Sequence, residues 1–371
     1  VNRVLDRFDQ WVQQGPFTAR DLGRYRVVYC VLLFLLMPRL SWLAGYPSSF
    51  YVPPTGPFEW LGGFPSAGAL VAIEILAYLL LAATLFGVWT TASSIGLSLV
   101  LVVDFGLNFS VGKVDHSMVM VIVPLILAFA RWGDHLSIDA IRRRARAAQG
   151  GPMVTVSLDD PQRQPQWPLR LLGFCLGAAF VSAAVPKVLG GWLSLSTQAS
   201  YAYQVRSDFN SGRSSLLSEL LVNTPFPPMW EALDWATVLL EGLAVLALVT
   251  WRSWRIALAV LVLFHVSVGL SLGIWFASNL VVYGAFVAWG RVQLPGWSFP
   301  ERWTARVTWL AGPVVALSAL ALWWLGGMLS NDIEMFRMFI IAIGGIVAVG
   351  FLVTQVVGLL RGRRAVGAAA G

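Results

Sequence analysis

Residues 174–192 read FCLGAAFVSAAVPKVLGGW, an apolar, small-residue run that meets one cation, Lys187, between Pro186 and the Gly190-Gly191 break. A run of this length and polarity is a membrane helix. An ammonium at the bilayer centre costs roughly 2.5–3.5 kcal/mol on insertion scales. Leucine would avoid that cost, so Lys187 is the first candidate for a functional centre. The competing reading is that Lys187, near its helix end, extends to the interface and anchors the helix there.

Outward from this stretch, the same character persists. Of 371 residues, 57% are hydrophobic and 12% charged, and the mean hydropathy is +0.70. Soluble domains carry about 25% charged residues. Several apolar runs of about 20 residues suffice to cross a hydrocarbon core of ~30 Å. The expected fold class is an all-α, polytopic helical membrane protein. The net charge of +7 would suggest nucleic acid in a soluble chain. Here the arginines gather in short loops between apolar runs, so they read as topology signals and no nucleic-acid partner is expected. Cys30 and Cys175 lie inside apolar runs without CxxC or metal-type spacing and read as small buried hydrophobes, so no metal is expected. No cleavable signal is expected, because residues 1–24 are polar and the first apolar run has full spanning length.

About ten spans are expected, near 25–44, 67–88, 92–111, 115–131, 169–189, 232–250, 254–272, 274–289, 307–328 and 336–360. Before them, residues 1–24 form an amphipathic segment with Val4, Phe8, Trp11 and Val12 on one stripe, suited to the cytoplasmic leaflet. Arginines crowd every second connection: the N-terminus, 131–146, 252–255, 291–306 (Arg291, Arg302, Arg306) and 361–364 (Arg361, Arg363, Arg364). The alternate connections are poor in them, although 192–230 keeps Arg206 and Arg213. Both termini are therefore expected in the cytoplasm, with 45–66 an ordered outer loop and 192–230 a second, mostly polar outer segment.

Two hairpins echo each other. IEILAYLLLAATLFGVWTTASSIGLSLVLVVDFG begins at Ile73, and LEGLAVLALVTWRSWRIALAVLVLFHVSVG begins at Leu240. Each opens with a membrane glutamate, Glu74 or Glu241, and ends with an ionisable residue, Asp104 or His265, as internal repeats of membrane folds do. On this topology His116, Lys187, His265 and Asp104 share a depth on the outer side, and intramembrane ionisable groups tend to face a cavity or one another. Plainer readings stand beside this one. His116 would start a helix with Asp115 as its N-cap, and His265 would bond a neighbouring helix. Glu74 and Glu241 would bridge helices structurally, and His135 would be an ordinary residue of the cytoplasmic border.

The pieces DHSMVM (115–120), FVSAAVPKVLGGW (180–192) and FHVSVGLSLGIWFASNLVVY (264–283) resemble the membrane domain of vitamin K-dependent γ-carboxylase. They also resemble the wider bacterial group with the horizontally transferred transmembrane (HTTM) domain. The family has Asn-His-Ser before a span, a lysine five residues before a tryptophan, and Phe-His opening a later stretch. His116-Ser117, Lys187 with Trp192, and Phe264-His265 match these pieces over roughly residues 15–290. The resemblance implies a carboxylase-like transmembrane domain at 25–290, followed by two additional helices and a basic tail at 291–371.

It further implies a site facing outward from a bacterial plasma membrane. Lys187 would be the base that deprotonates a quinol of the vitamin K or menaquinol type, starting its oxygenation. His116 would assist at the carbanion and CO2 step on a glutamate, and His265 would hold the site. Asp104, Trp192 and Phe264 would line the cofactor, with O2 and CO2 as co-substrates. The family enzyme carries a large soluble domain where peptides dock, whereas two further spans follow residue 290 here. Asp115 stands where the family has asparagine. A small exported peptide is the implied partner beside the lipid quinone and membrane lipid. The alternative is a non-catalytic scaffold or partner in the maturation and export of secreted peptides, with a transporter as a weaker third reading.

Overall fold

The computed structural model describes residues 2–112, 114–148, 157–211, 215–292 and 301–369. Arg213 and the side chains of Arg302, Arg306, Arg363 and Arg364 lie outside the described residues. The chain is helical, and it divides into two compact units: residues 1–172 with 281–333, and 173–280 with 334–371. Among the described residues, seven helical segments are long and apolar enough to cross a membrane. One of them, Trp309–Arg361, runs for 53 residues. It holds two helices in series with a 3-10 turn at Ser330–Asp332 between them.

The first unit opens with α1 (Asn2–Gln13), which leaves Val4, Leu5 and Phe8 exposed. Its end is fastened by Arg170, whose guanidinium lies 4.3 Å from the Trp11 ring centroid while Nε donates to Trp11 O. The next helix, α2 (Ala19–Leu36), starts six residues before the expected span. Thr18 and Asp21 form a capping box that sets this start, each side chain accepting from the other's backbone N–H. Pro38 explains the early end, because the residue before proline is driven out of helical geometry.

Two helices then form a hairpin, α3 (Ala67–Phe86) and α4 (Thr90–Phe109). Gly87 ends α3 at φ 66°, and a Cβ there would strike Arg26 and Ser137, so both its left-handed backbone and its lack of side chain are required. Arg26, fully buried, donates to the last-turn carbonyls Thr84 O (2.6 Å) and Leu85 O (3.1 Å), and to Leu136 O at 2.5 Å. It thereby satisfies carbonyls that a helix end leaves without partners. Asp139 does the same for the start of α4, accepting from Trp89 N and Thr90 N at 3.1 and 2.7 Å.

The 45–66 loop is ordered as expected. Two 3-10 turns within it, the Val52–Val111 bridge and the Tyr51 hydroxyl on Phe58 O hold it over a core of Leu40, Leu43, Leu70 and Leu107.

Residues 115–131 contain a helix shorter than the expected span: α5 (Met118–Leu127) continues as a 3-10 turn only to Ala130. Arg131 at φ 59° ends it, and the 13 residues from 118 to 130 reach about 20 Å. Ser117, not Asp115, is its N-cap. Asp115 instead closes a turn by accepting from the Ser117 N–H and hydroxyl. His135 is not an ordinary surface residue. It is half-buried before α6 (Ile138–Ala148), and burial first, then Arg20, Arg24, Arg144 and Arg26, push its imidazole down to about 4.

The second unit begins within α7 (Trp167–Leu189) and continues through α8 (Ala199–Ser211), α9 (Ser218–Val222) and α10 (Pro227–Leu243). The segment 192–230 is thus partly helical, with Asp234 capping α8 through Ala199 N and Ser200 N, both at 2.7 Å. A cap supplied 34 residues downstream leaves no local trace in the sequence. A 3-10 stretch, Ala244–Val249, extends α10, and a Thr250–Ser253 capping box starts α11 (Trp251–Leu272).

The expected span at 274–289 is again short, α12 (Ala277–Tyr283) with a turn to Phe286. The chain ends in α13 (Glu301–Leu329), in the first unit, and α14 (Ile333–Ala369), almost all in the second. Gly344 and Gly345 bring α14 close to Leu280, Val262 and Val266.

Candidate functional site

The second unit holds Lys187, Trp192, Phe264 and His265 of the expected site residues, and the first unit holds Asp104 and His116. Local chemistry explains the position of Lys187. Gly191 takes φ 80°, Gly191 N donates to Val188 O, and Trp192 N donates to Lys187 O, both at 3.1 Å. This is a Schellman ending, in which a left-handed glycine folds the following residue back over the last turn. The five-residue interval between Lys187 and Trp192 is therefore a helix stop as well as a motif. It sets the Trp192 ring centroid 5.6 Å from Lys187 Nζ, within cation–π range.

Lys187 Nζ donates to Glu241 Oε2 at 2.5 Å and to Ala183 O at 3.1 Å. The side chains of Lys187 and Glu241 are 23% and 10% exposed, so the pair is sheltered but reachable. Small residues bring the two helices within range. A Cβ on Gly173 would meet Leu248 at 2.7 Å, one on Gly177 would meet Val245 at 2.8 Å, and one on Gly242 would meet Ala184 at 3.6 Å. These contacts run antiparallel along α7 and the 227–249 segment, the small-residue seam by which membrane helices approach closely. Glu241 is the partner that sequence reasoning missed for Lys187. Its one signal was an isolated carboxylate in an apolar run.

His265 is buried on α11. Its ring stacks on Phe276 (centroids 4.8 Å, planes 27° apart) and Phe180 (6.1 Å, 23°), with Phe264 tilted at its side. Asn279, another residue the sequence did not flag, places Nδ2 3.4 Å from His265 Nε2. Phe180 lies two turns before Lys187 on the same face of α7, about 10 Å along its axis. One face of α7 thus carries both the ion pair and a wall of the aromatic box.

In the first unit, His116 is half-buried in the turn before α5, and its carbonyl accepts from Val119 N. Asp104 is fully buried on α4, within electrostatic reach of Glu74 and Arg39, and neither carboxyl oxygen has a hydrogen-bond partner among the described residues. Glu74 is fully engaged. Its Oε1 accepts from Leu40 N (2.6 Å) and Ser41 N (2.8 Å), and its Oε2 meets Arg39 Nη2 and Trp323 Nε1, both at 3.1 Å.

The hairpin echo has a counterpart in the fold, since one hairpin falls in each unit. Asp104 and His265 each stand fourteen residues after the first residue of their helix. Among the described residues, no group of three or more His, Cys, Asp or Glu side chains could hold a metal. Comparison with protein-family models, with curated proteins and with solved structures finds no match.

Proposed function

We propose that this chain is a ten-span integral-membrane enzyme of a bacterial plasma membrane, with both termini cytoplasmic and its site facing outward, in which Lys187 acts as a base on a lipid quinol. The count of ten assigns two crossings to the 53-residue Trp309–Arg361 segment and one each to the short helices Met118–Ala130 and Ala277–Phe286. The observation that carries the reading is the 2.5 Å contact between Lys187 and Glu241 in a sheltered, partly open position. A carboxylate there can receive the Nζ proton and leave an amine with a free electron pair.

The donor set fits a flat aromatic diol. Lys187 and Glu241 supply a proton acceptor and its relay, and Trp192 and Phe264 offer ring faces, both half-buried. When bound, a quinol supplies an ionisable hydroxyl and the two electrons that reduce O2. With the first Nζ proton held on Glu241 Oε2, the Lys187 amine would take the hydroxyl proton at Nζ, and Asn279 would hold the His265 ring in place. Asp104 and His116 belong to the proposal on the family resemblance, with a peptide glutamate and CO2 as the acceptor chemistry.

The same ion pair ties α7 to α10 across the glycine seam, which supports the alternative of a non-catalytic scaffold in peptide export. Purified protein supplied with reduced menaquinone and O2 separates the two. Epoxide formation by the wild type and none by Lys187→Ala is the expected result. A well-folded wild type that turns over no quinol, even with candidate exported peptides, rejects the enzyme in favour of the scaffold.

A further inference from the structure

The segment joining α7 to α10 forms a cap on the second unit, and its backbone is fixed at the end of α11. Gln204 Nε2 donates to Ser271 O at 2.8 Å, Leu217 N donates to Leu270 O at 2.9 Å, and the Ser215 hydroxyl also donates to Ser271 O. The two cap helices are joined to each other and to α10, since the Tyr201 hydroxyl donates to Val222 O while its ring packs on Trp230. The 22 residues of α11 span about 33 Å, close to the ~30 Å hydrocarbon core. Leu270 and Ser271 therefore mark the core boundary, and a cap bonded to them sits at that level.

At that level the cap projects apolar side chains outward. Leu195, Phe209, Leu216, Leu220 and Phe226 are 57–81% exposed, whereas Gln204 and Ser218 turn inward. Soluble surfaces rarely gather so many large exposed hydrophobics. In the same unit Leu189 at the end of α7, and Leu233, Trp235 and Leu239 on the membrane-spanning segment that holds α10, are likewise exposed apolar side chains.

We propose that residues 193–211 and 215–226 form an interfacial element immersed in the leaflet where α7 and α11 end, with lipid acyl chains as the occupant of its apolar surface. Both the level fixed by Leu270 and Ser271 and the cap's place in the chain between the exposed apolar flanks of α7 and α10, two membrane-spanning helices, select lipid over a protein partner. An amphipathic element at such a boundary buries its apolar side among acyl chains and keeps polar groups at the headgroups. Arg206 stands among the exposed residues of α8, within reach of phosphates. The proposal is independent of quinol chemistry.

The test uses the full chain in phosphatidylethanolamine–phosphatidylglycerol vesicles, with Cys175→Ala and the buried Cys30 retained. A nitroxide is placed at Leu216→Cys, Phe209→Cys or Leu220→Cys. These side chains are exposed, so the substitutions leave packing intact, and three positions guard against failure of any one. Collision with O2, which concentrates in lipid, is compared with collision with a water-soluble nickel chelate. Leu239→Cys serves as the lipid reference and Gln162→Cys as the aqueous one. The expected O2-to-nickel ratio at the cap is severalfold above that at Gln162 and near that at Leu239. A ratio equal to that at Gln162 overturns the proposal. Protection from both reagents overturns it too, since it would place protein over the cap.

Discussion

Two glutamates stand at corresponding places in two echoing hairpins, and their surroundings differ in kind. Glu74 is buried, with two backbone N–H groups, an arginine and an indole on its two oxygens. Glu241 holds one lysine on one oxygen and keeps some contact with solvent. A carboxylate that is fully coordinated is a joint: it fixes Leu40, Ser41, Arg39 and Trp323 to α3. A carboxylate with a single exchangeable partner can give and take a proton without dismantling its surroundings. The comparison teaches that matching sequence positions do not make matching sites. The number of bonded partners decides which glutamate is free to react.

The largest expected effect breaks the joint. Glu74→Ala leaves the half-buried Arg39 without its anion and two backbone donors unpaired, a loss on the order of 3 kcal/mol. Thermal unfolding in detergent should show a marked fall in midpoint, and an unchanged midpoint would show that Glu74 is no joint at all.

Next comes the Lys187–Glu241 pair. Lys187→Met strands Glu241 and should cost about 1–3 kcal/mol. Lys187→Met with Glu241→Leu replaces both charges by apolar groups and should return near wild-type stability. If the double variant is as unstable as Glu74→Ala, the two glutamates do the same job. A stable double variant that consumes no quinol would separate the pair's chemistry from the fold.

A smaller effect sharpens the placement of Lys187. Gly191→Ala forces a side chain into φ 80° and should cost about 1 kcal/mol. Its better readout is Trp192 fluorescence, isolated as the difference from a Gly191→Ala, Trp192→Phe variant. That emission should shift as the ring leaves the ammonium, and an unaltered spectrum would detach Trp192 from the lysine.

The smallest effect corrects the acid titration of the first unit. His135 has its pKa lowered to about 4, so its unfolded form binds the proton first. Its contribution is fully present above about pH 6.5 and is lost as pH falls through 4. Because the imidazole is half-exposed and screened, the slope should amount to about 1 kcal/mol or less. His135→Gln should flatten unfolding between pH 6.5 and 4, leaving only the carboxylates to account for the remaining acid loss. An identical profile would remove His135 from the account.

Helical spans were legible because hydropathy over twenty residues is a local property, and Lys187 was legible because one charge interrupts such a run. Lengths were less so. The 115–131 run has spanning composition, yet the turn closed by Asp115 delays its helix to Met118 and the last residues tighten into a 3-10 turn, and composition carries no such geometry. The Lys187–Trp192 interval was read as a signature, and its Schellman geometry emerges only with Gly191 at positive φ. Partners were least legible. Glu241 meets Lys187 through Gly173, Gly177 and Ala184, a register set by two helices 54 residues apart in sequence at the pair. Asp139 capping α4, Asp234 capping α8 and Asn279 beside His265 are likewise side chains acting at a distance along the chain.

The anchoring of α2 has a consequence for how the protein is made. Its polar groups await partners that lie much later in the chain. Arg26 needs carbonyls at residues 84 and 136, Tyr25 needs Val281 O, and Arg24 needs Trp289 O and Val292 O. Until then a newborn α2 carries Arg24 and Arg26 without these partners, charges that the bilayer disfavours. Insertion therefore cannot finish in order of synthesis. That helix stays provisional through some 260 further residues.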